Sequence, residues 1–450
     1  MRRNLTPVRF FVWSFAVVIL VGTVLLTLPI SSEAHRFTNP VTALFTATSA
    51  TCVTGLVVED TASYWSLFGE IVILLLIQVG GLGYMTVATF FLIFSNRKIT
   101  LRQRFILKEG LNVYRLTGIV SFARTLFFTV LFFEGFGALV LFLRFLKDFS
   151  PLKAMWMGIF HSISAFCNAG FSITGGFKSL TGYVNDLTVN ITMMILIVCG
   201  GIGFYVLVEI FNALRARFKN EERRKFSLHT RIVLKATFTL IIIGTVLIML
   251  FEWNNPETLG ALNLRGKILS SFFQAITPRT AGFNTIDIAS LHQTTLLEMI
   301  CLMFIGGSPG GTAGGVKTTT FTIILALLIH AYRERIPITI TGRTIKLKTI
   351  RRALFIAGFA ILVILISTMV ILWNQGDEFT LSQVLFEVVS AFGTVGLSTG
   401  ITANLSILSR IVIIATMFIG RVGPLSFILS ITTRSKVAVP AYPEEEVAVG

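Results

Sequence analysis

Residues 45–56 read FTATSATCVTGL, and the same arrangement returns three more times along the chain. Each copy follows an apolar stretch, places a Phe ten residues before a Gly, and has Leu or Phe directly after that Gly. The four glycines are separated by 115, 112 and 114 residues, and they are Gly55, Gly170, Gly282 and Gly396. Four equal repeats with one Gly-centred strip each predict a four-fold pore built from one polypeptide. Such a pore is lined by backbone carbonyl oxygens, which replace the water around a monovalent cation.

The composition is that of a polytopic membrane protein. Of 450 residues, 54% are hydrophobic and 13% are charged, with a mean hydropathy of +0.81, whereas soluble domains carry about 25% charged residues. The net charge of +16 lies in short loops between apolar runs. It therefore indicates membrane topology and a cytosolic contact surface, and no nucleic-acid partner is expected. Four isolated cysteines without a CxxC spacing, and the lack of an HExxH motif, argue against a zinc site or a disulfide framework.

Each repeat is interpreted as a span, a short re-entrant pore helix, a Gly strip and a second span. The middle apolar segments have about half of the ~20 residues that a span needs. The predicted fold is all-α and membrane-spanning, with eight transmembrane helices and four pore helices in pseudo-four-fold symmetry around one pore. The repeats cover residues 1–110, 111–225, 226–340 (with a broken second span) and 341–436, and an acidic tail follows at 437–450. The expected helices are Val8–Leu28, Val41–Ala50 and Ser66–Phe94; Thr125–Phe145, Ala154–Ala165 and Leu187–Leu214; Ile232–Phe251, Lys267–Ile276 and the interrupted stretch Thr295–His330; and Leu354–Trp373, Leu381–Ala391 and Ser409–Leu429.

The distribution of charge predicts the orientation. The run Val8–Leu28 is long enough to span, so we interpret it as a retained first helix and not as a cleaved signal peptide. If every repeat crosses twice, the basic clusters all fall on one side, which is then cytoplasmic; they lie at residues 2–9, 97–108, 215–225, 333–352 and 434–436. Both termini are therefore expected in the cytoplasm of a protein in the cell membrane. Acidic residues on the opposite side either concentrate cations at an external mouth or are simply solvated; they include Glu59, Asp60, Asp377 and Glu378.

The strips must leave helical geometry to point successive carbonyl groups at one axis. Gly tolerates the positive φ that this often needs, and it lets four backbones approach closely. The short helix before each strip would aim its negative C-terminal end at the ion. The alternative is close helix packing through small residues. The predicted filter residues are Val53, Thr54, Gly55, Asn168, Ala169, Gly170, Thr280, Ala281, Gly282, Thr394, Val395 and Gly396.

With these strips the chain resembles the membrane subunit of Ktr-type potassium uptake systems, in the superfamily that also holds the Trk, HKT and Kdp subunits. The resemblance covers nearly the whole chain and rests on TCVTGL (51–56), AFCNAGF (165–171), TPRTAGF (277–283) and AFGTVGL (391–397). Trk-type subunits usually carry extra N-terminal spans and Kdp-type subunits are longer, which favours Ktr. The resemblance implies potassium uptake, with K+ bound at the filter carbonyls of Thr54, Ala169, Ala281 and Val395.

The resemblance also implies partners. It predicts a homodimer in membrane lipid, seated on a cytosolic nucleotide-binding ring of the RCK type, with ATP or ADP on that ring and no cofactor in this chain. The tail at 437–450 resembles the Ktr C-terminus, which docks near the subunit interface. Relatives with Ser in the first strip are associated with sodium permeation, so Gly55 favours potassium. A sodium-permeable or ion-coupled secondary transporter of the same architecture is the alternative.

A second Gly pattern lies 24 to 30 residues after each filter glycine, at Gly80, Gly200, Gly306 and Gly420. In the third repeat the run cannot hold an α-helix, and irregular backbone at membrane depth is tolerated only inside protein or beside a water-filled cavity. We interpret this run as a flexible loop that obstructs the pathway beneath the filter, and the resemblance implies that it is the gate. A phosphate-binding loop is excluded because Val316 separates Gly315 from Lys317. The predicted gate residues are Gly306, Gly307, Ser308, Pro309, Gly310, Gly311, Thr312, Ala313, Gly314, Gly315, Lys317 and Arg421.

Arg421 replaces the second glycine of this pattern in the fourth repeat. An Arg within a span is costly, so it is paired or functional. One hypothesis is an electrostatic latch that bonds carbonyl groups of the loop and repels cations. The other is a buried ion pair with an intramembrane carboxylate, such as Glu134, Glu209 or Glu387.

Two further cations have weaker interpretations. Lys317 either contacts a regulator or extends its amino group to the membrane surface. Arg279, in the third strip, is expected to brace its loop from behind, against Glu387 on the fourth pore helix.

Two other function classes are less well supported. A secondary transporter with its site at broken helices predicts inverted repeats, whereas the motif order is the same in all four repeats. A membrane-embedded enzyme needs a nucleophile and a base on facing spans. His161 with Ser162 and Ser164 lies on a pore helix, where packing is the commoner role. No enzymatic activity is expected.

Overall fold

The computed structural model describes residues 7–83, 119–218, 226–333 and 337–431. This part of the chain is almost entirely α-helical, which confirms the predicted class. Its strands are β1 (Thr339–Ile340) and β2 (Arg343–Thr344), an antiparallel pair that matches Thr339 with Thr344. The predicted basic link at 97–108, most of the link at 215–225 and the tail at 437–450 lie outside the described residues.

The helices follow the predicted order in each repeat. The first repeat has α1 (Pro7–Thr27), α2 (Pro40–Cys52), α3 (Thr61–Tyr64) and α4 (Leu67–Leu82). The second has α5 (Ile119–Phe145), α6 (Pro151–Phe166), α7 (Leu187–Gly201) and α8 (Phe204–Phe218). The third has α9 (Leu228–Glu252), α10 (Leu264–Ile276), α11 (Gln293–Phe304) and α12 (Thr318–Tyr332). The fourth has α13 (Leu347–Gln375), α14 (Leu381–Gly393), α15 (Ile407–Val422) and α16 (Pro424–Ile431).

The sequence fixes where the pore helices α2, α6, α10 and α14 begin. Pro occupies the first turn of α2 and α6, where its missing N–H costs nothing. The side chains of Asn39 and Asn263 accept hydrogen bonds from the first turns of α2 and α10. Thr380 and Gln383 form a capping box at the start of α14. Each pore helix therefore has a defined start and leads directly into its strip.

Three second helices end at a glycine, and in the second and fourth repeats the predicted continuous spans are wrong. Residues 84–94 of the predicted span Ser66–Phe94 lie outside the described residues. Gly83, Gly203 and Gly423 end α4, α7 and α15 with φ of 76°, 95° and 86°. Because that backbone conformation cannot continue an α-helix, the predicted span Leu187–Leu214 becomes α7 and α8, with a bend of 107° between them. The predicted span Ser409–Leu429 likewise becomes α15 and α16. In the third repeat residues 305–317 separate α11 from α12, as the prediction of an interrupted stretch requires.

Length and composition identify fewer spans than predicted. Within the described residues three helices are long and apolar enough to cross a membrane, namely Phe122–Phe145 of α5, α9 and α13, and a fourth is obtained if α7 and α8 count as one. The other apolar helices count with 10 to 17 residues, α1 through its part Val12–Thr27, below the ~20 residues that a straight crossing needs. In the second and fourth repeats glycine breaks are the reason, because Gly203 and Gly423 each divide an apolar run into two short helices.

The repeats close into a ring. In every repeat the first helix packs on its own pore helix, as α1 does on α2. The second helix then packs on the pore helix of the next repeat: α4 on α6, α7 on α10, α11 on α14, and α15 back on α2. The pore-helix phenylalanines Phe45, Phe160 and Phe386 are fully buried, whereas in the third repeat Phe273 takes this place and Phe272 is only half-buried. This cyclic packing brings the four strips to the centre.

Candidate functional site

The four strips adopt the same backbone conformation. Each filter glycine has a positive φ, at 96°, 72°, 79° and 91° in chain order. The residue two positions earlier also lies in the left-handed region, although it is never Gly. This conformation costs an L-residue about 1–2 kcal/mol, so its recurrence shows that the surrounding structure imposes it. These four residues are Val53, Asn168, Thr280 and Thr394, with φ of 57°, 58°, 76° and 51°.

The filter glycines lie in contact around one axis. A methyl group on Gly55 would lie 2.5 Å from the carbonyl oxygen of Ala169, and one on Gly170 would lie 3.0 Å from that of Ala281. The same construction places Gly282 against Val395 at 2.4 Å and Gly396 against Thr54 at 2.1 Å, which closes the circle. Only glycine fits at these four positions, because the atom that a side chain would meet is a neighbour's backbone. The carbonyl oxygens in these contacts belong to the predicted ion-binding residues Thr54, Ala169, Ala281 and Val395.

Hydrogen bonds from the pore helices hold the strips. The amide groups of Thr54, Ala169 and Val395 donate to the carbonyl oxygens of Ser49, Ser164 and Ser390 at 2.7 to 2.8 Å. The Ser49 and Ser390 hydroxyls also accept from the amides of Gly55 and Gly396 at 3.1 and 3.0 Å. The role of these serines was not predicted. In three repeats a Ser lies six residues before the filter glycine, and this recurrence could have indicated it. The third strip differs, since Ala281 donates to Thr277 at 2.9 Å.

A cavity of about 350 Å³ opens above the ring and is lined by all four filter glycines. Asp60 and Asp287 line it. Of the predicted external acidic residues, only Asp60 is among the described residues that line this cavity. Its carboxylate accepts from the amides of Ser63 at 3.1 Å and Phe177 at 3.0 Å. Asp60 therefore also fixes the backbone around the cavity.

The loop between α11 and α12 lies directly beneath two strips. The Thr312 hydroxyl is 3.2 Å from the side-chain amide of Asn168 and 3.4 Å from the carbonyl oxygen of Phe166. A methyl group on Gly314 would lie 2.1 Å from Oγ1 of Thr394. The loop therefore touches the second and the fourth strip from below.

Backbone hydrogen bonds tie the loop to the second repeat. The amide of Ser308 donates to Gly201 at 2.9 Å, and the amide of Phe204 donates back to Gly310 at 2.9 Å. At the other end the amide of Thr318 donates to Gly307 at 3.0 Å. The loop is thus a defined structure in which several N–H and C=O groups have backbone partners, as backbone buried at this depth requires.

Two cations bond the same loop. Arg421 donates to the carbonyl oxygens of Thr312 and Gly80, and at 3.3 Å to that of Gly81. It therefore joins the end of α15 both to the loop and to the end of α4. Lys317 donates to Ala313 at 2.5 Å and to Gly314 at 3.2 Å. Its amino group turns into the loop, so the interpretation that it extends to the membrane surface is wrong.

The predicted ion pairs are absent from the part of the chain that the structure describes. The three carboxylates considered for Arg421 have other partners: Glu134 accepts from Gln78, Glu209 from Ser227 and Thr230, and Glu387 from Thr402. The pairing of Arg279 with Glu387 is also wrong. Two guanidinium nitrogens of buried Arg279 have no partner among these residues. The pairing was predicted because the two residues occupy matching positions in the repeats. Matching positions do not determine which side chains contact each other across two helices.

The pore-helix histidine has a packing role. His161 is fully buried, and its ring nitrogens lie 2.9 Å from the carbonyl oxygen of Met157 and 3.0 Å from the hydroxyl of Ser172. Ser164 donates to the carbonyl oxygen of Phe171 at 2.8 Å. Both side chains therefore brace the segment that follows Gly170.

Four pore helices, each followed by a backbone strip that points at one common axis, are the arrangement of a membrane cation transport protein. The chain belongs to one family of this class, TrkH, described as cation transport protein, which it matches over residues 7–437. It is 39% identical to the Ktr system potassium uptake protein B of Bacillus subtilis, over 99% of this chain and 97% of that protein. This likeness confirms the resemblance to Ktr membrane subunits.

Other relatives agree. The chain is 36% identical to the Ktr system potassium uptake protein B of Vibrio alginolyticus, over 98% of this chain and 94% of that protein. It is 35% identical to the potassium/sodium uptake protein NtpJ of Enterococcus hirae, over 100% of this chain and 98% of that protein. The crystal structure of the potassium transporter TrkH from Vibrio parahaemolyticus shares the fold. Its TM-score is 0.71 at 17% identity, and the match covers 96% of this chain and 86% of that one.

Proposed function

We propose that this protein takes up potassium across the cell membrane through a filter formed by the four strips. The observation that carries the proposal is the closed ring of glycines at positive φ, each in contact with the carbonyl group before the next glycine. Carbonyl rings of this kind replace the hydration shell of a monovalent cation. The names of the Ktr relatives support potassium as that cation.

The proposed architecture completes the predicted one. Each repeat crosses the membrane twice, which makes eight spans when each broken second helix counts as one, with four pore helices between them. Both termini lie in the cytoplasm. The basic cytoplasmic links suit a nucleotide-binding ring on which two copies of the chain sit, and the Ktr system named for the relatives supports such a partner. ATP or ADP binds that ring, and this chain has no cofactor of its own.

The loop at 306–315 is the proposed gate, with Arg421 as its latch. Arg421 holds the loop carbonyl of Thr312 and the α4 carbonyls of Gly80 and Gly81 at the same time. Hydrogen bonds that involve a charged group are worth about 1.5–3 kcal/mol each. The guanidinium and the Lys317 ammonium both bond carbonyls of this loop, and their charges also repel a cation that leaves the filter.

The first test is ion flux into liposomes that contain the purified full-length chain. Wild type should pass potassium in preference to sodium, and Gly55→Ser should lose that preference. Arg421→Ala should raise the basal potassium flux by at least about tenfold, because 1.4 kcal/mol corresponds to a factor of ten and several bonds are lost. Arg410→Ala is the matched control, since Arg410 lies on the same helix and donates to two carbonyls at its other end.

The outcomes separate the two parts of the proposal. An unchanged flux in Arg421→Ala rejects the latch and leaves the filter standing. Equal potassium and sodium flux through wild type favours the second candidate, a sodium-permeable transporter, which the potassium/sodium name of the Enterococcus hirae relative supports. Uptake of either ion that depends on the gradient of the other would indicate ion-coupled transport.

A further inference from the structure

A buried carboxylate links two repeats beside the second strip. Glu134 lies on α5, and only 6% of its surface is exposed. Both of its carboxylate oxygens are 3.1 Å from Nε2 of Gln78 on α4. The thiol of Cys167, in the second strip, lies 3.6 Å from Oε1 of Gln78 and 3.8 Å from Oε1 of Glu134. Carboxylates within a membrane are costly and mark functional positions.

The same end of α4 carries the acceptors of the latch. Gln78 precedes Gly80 and Gly81 by less than one helical turn, and both glycine carbonyls accept from Arg421. These carbonyls belong to the last turn of α4, where no intrahelical partner is available. Their position therefore depends on what holds the end of the helix.

Cys167 is the point where the two sets of contacts meet. A methyl group on Gly81 would lie 2.7 Å from Sγ of Cys167, so the helix end rests on this thiol. A continuous line of contacts thus runs from the second strip through Glu134 and Gln78 to the carbonyls that Arg421 grips.

We propose that Glu134 is a positioning residue that couples the second filter strip to the Arg421 latch. By accepting from Gln78, it holds the last turn of α4 against Cys167 and keeps the Gly80 and Gly81 carbonyls where Arg421 reaches them. This inference rests on the proposed latch. It adds a carboxylate whose hydrogen-bond partners among the described residues are Gln78 and Cys167.

The test is a double-mutant cycle on basal potassium flux in liposomes that contain the full-length chain. Glu134→Leu removes the acceptors of the Gln78 amide nitrogen and should raise basal flux about two- to tenfold, as expected for the loss of one hydrogen bond worth about 0.5–1.5 kcal/mol net. In an Arg421→Ala background it should add nothing, because the α4 carbonyls no longer have a latch to meet. Glu134→Gln should stay near wild type, since an amide still pairs with Gln78. Glu298→Gln is the control, a membrane carboxylate whose oxygens have no hydrogen-bond partner within the described residues.

Each result decides one point. If Arg421→Ala raises flux and Glu134→Leu does not, the coupling is rejected and the latch stands. If the two substitutions multiply in the double variant, Glu134 acts independently of the latch and the proposal is wrong. Flux in Glu134→Gln as high as in Glu134→Leu also overturns it, because the hydrogen bonds would then not be what matters. Gln78→Leu removes the same bonds from the other helix and replaces Glu134→Leu if that variant does not fold.

Discussion

The filter layer and the layer beneath it are built from the same four repeats, but only the filter layer is symmetric. In the strips, all four repeats share two left-handed residues at the same two positions. Beneath them, three second helices press on their own pore helices: a methyl on Gly80, Gly200 or Gly420 would lie 1.8 to 2.0 Å from the carbonyl oxygen of Thr51, Phe166 or Phe392. In the third repeat Gly306 meets the carbonyl of Gly314 in its own loop at 2.3 Å. In the third repeat this glycine therefore contacts its own loop and not its pore helix, and the loop lies beneath the strips.

The largest expected effect is a break in the symmetric layer. Gly396→Ala places a methyl group 2.1 Å from the carbonyl oxygen of Thr54, at a φ of 91°. Since the left-handed backbone alone costs an L-residue about 1–2 kcal/mol, potassium uptake should fall by at least about tenfold in liposome flux. Gly358→Ala is the control, because an added methyl there meets nothing within 4 Å. Normal selective uptake by Gly396→Ala would show that the ring is not the filter.

The next substitution compares the two kinds of second helix directly. Gly200→Ala pushes on the Phe166 carbonyl, 1.8 Å from the added methyl, and should lower potassium uptake by disturbing the strip that follows. Gly306→Ala pushes on the loop itself and should raise basal flux by about threefold or more, because 1 kcal/mol of clash is already a factor of about five. The measurement is the sign of the change in basal flux. Changes of the same sign in both variants would contradict the proposal that the second helix supports the strip in the second repeat and the closed loop in the third.

A smaller effect is expected where the loop meets the second strip. Thr312→Ala removes the hydroxyl contacts with Asn168 and Phe166. A hydrogen bond is worth about 0.5–1.5 kcal/mol net, so basal flux should rise about two- to tenfold. Thr319→Ala, just inside α12, is the control. If both variants behave as wild type, the closed loop does not depend on its contact with the strip.

The symmetric layer was predictable from the sequence, whereas the asymmetric contacts were not. The spacing of Gly55, Gly170, Gly282 and Gly396 predicted the four strips, because only glycine combines a positive φ with close backbone approach. The pore helices begin and end within a few residues of their predicted limits, as Leu381–Gly393 does against Leu381–Ala391. Features that recur in every repeat are predictable, because each repeat needs the same backbone conformation at the same position.

The misses are of two kinds: glycine breaks that were interpreted as continuous spans, and side-chain contacts that the repeat pattern does not report. The break at Gly203 was visible in the sequence as Gly200-Gly201-Ile202-Gly203, but apolar length was given more weight than the last glycine. The tie between Gln78 and Glu134 joins helices of different repeats, and no spacing in the sequence reports such a pair. The pairing of Arg279 with Glu387 failed for the same reason, since alignment of repeats places residues by height along the axis and says little about their direction.

The smallest expected effect lies above the filter, where charge acts through water. Asp287 lines the cavity above the filter glycines. Asp287→Asn keeps its shape and the acceptor for the amide of Ala289, and the new amide nitrogen can donate to the Ser290 hydroxyl, which itself donates to the carboxylate at 2.8 Å. The main loss is therefore the attraction of cations to the cavity, so uptake should fall by less than about twofold at low ionic strength. The difference should vanish as salt shortens the Debye length to about 3 Å at 1 M. Glu257→Gln, an exposed residue that does not line the cavity, is the control. A loss that persists at high salt would mean that Asp287 shapes the cavity by its contacts. The strips would then depend on an asymmetric layer above them as well as on the one below.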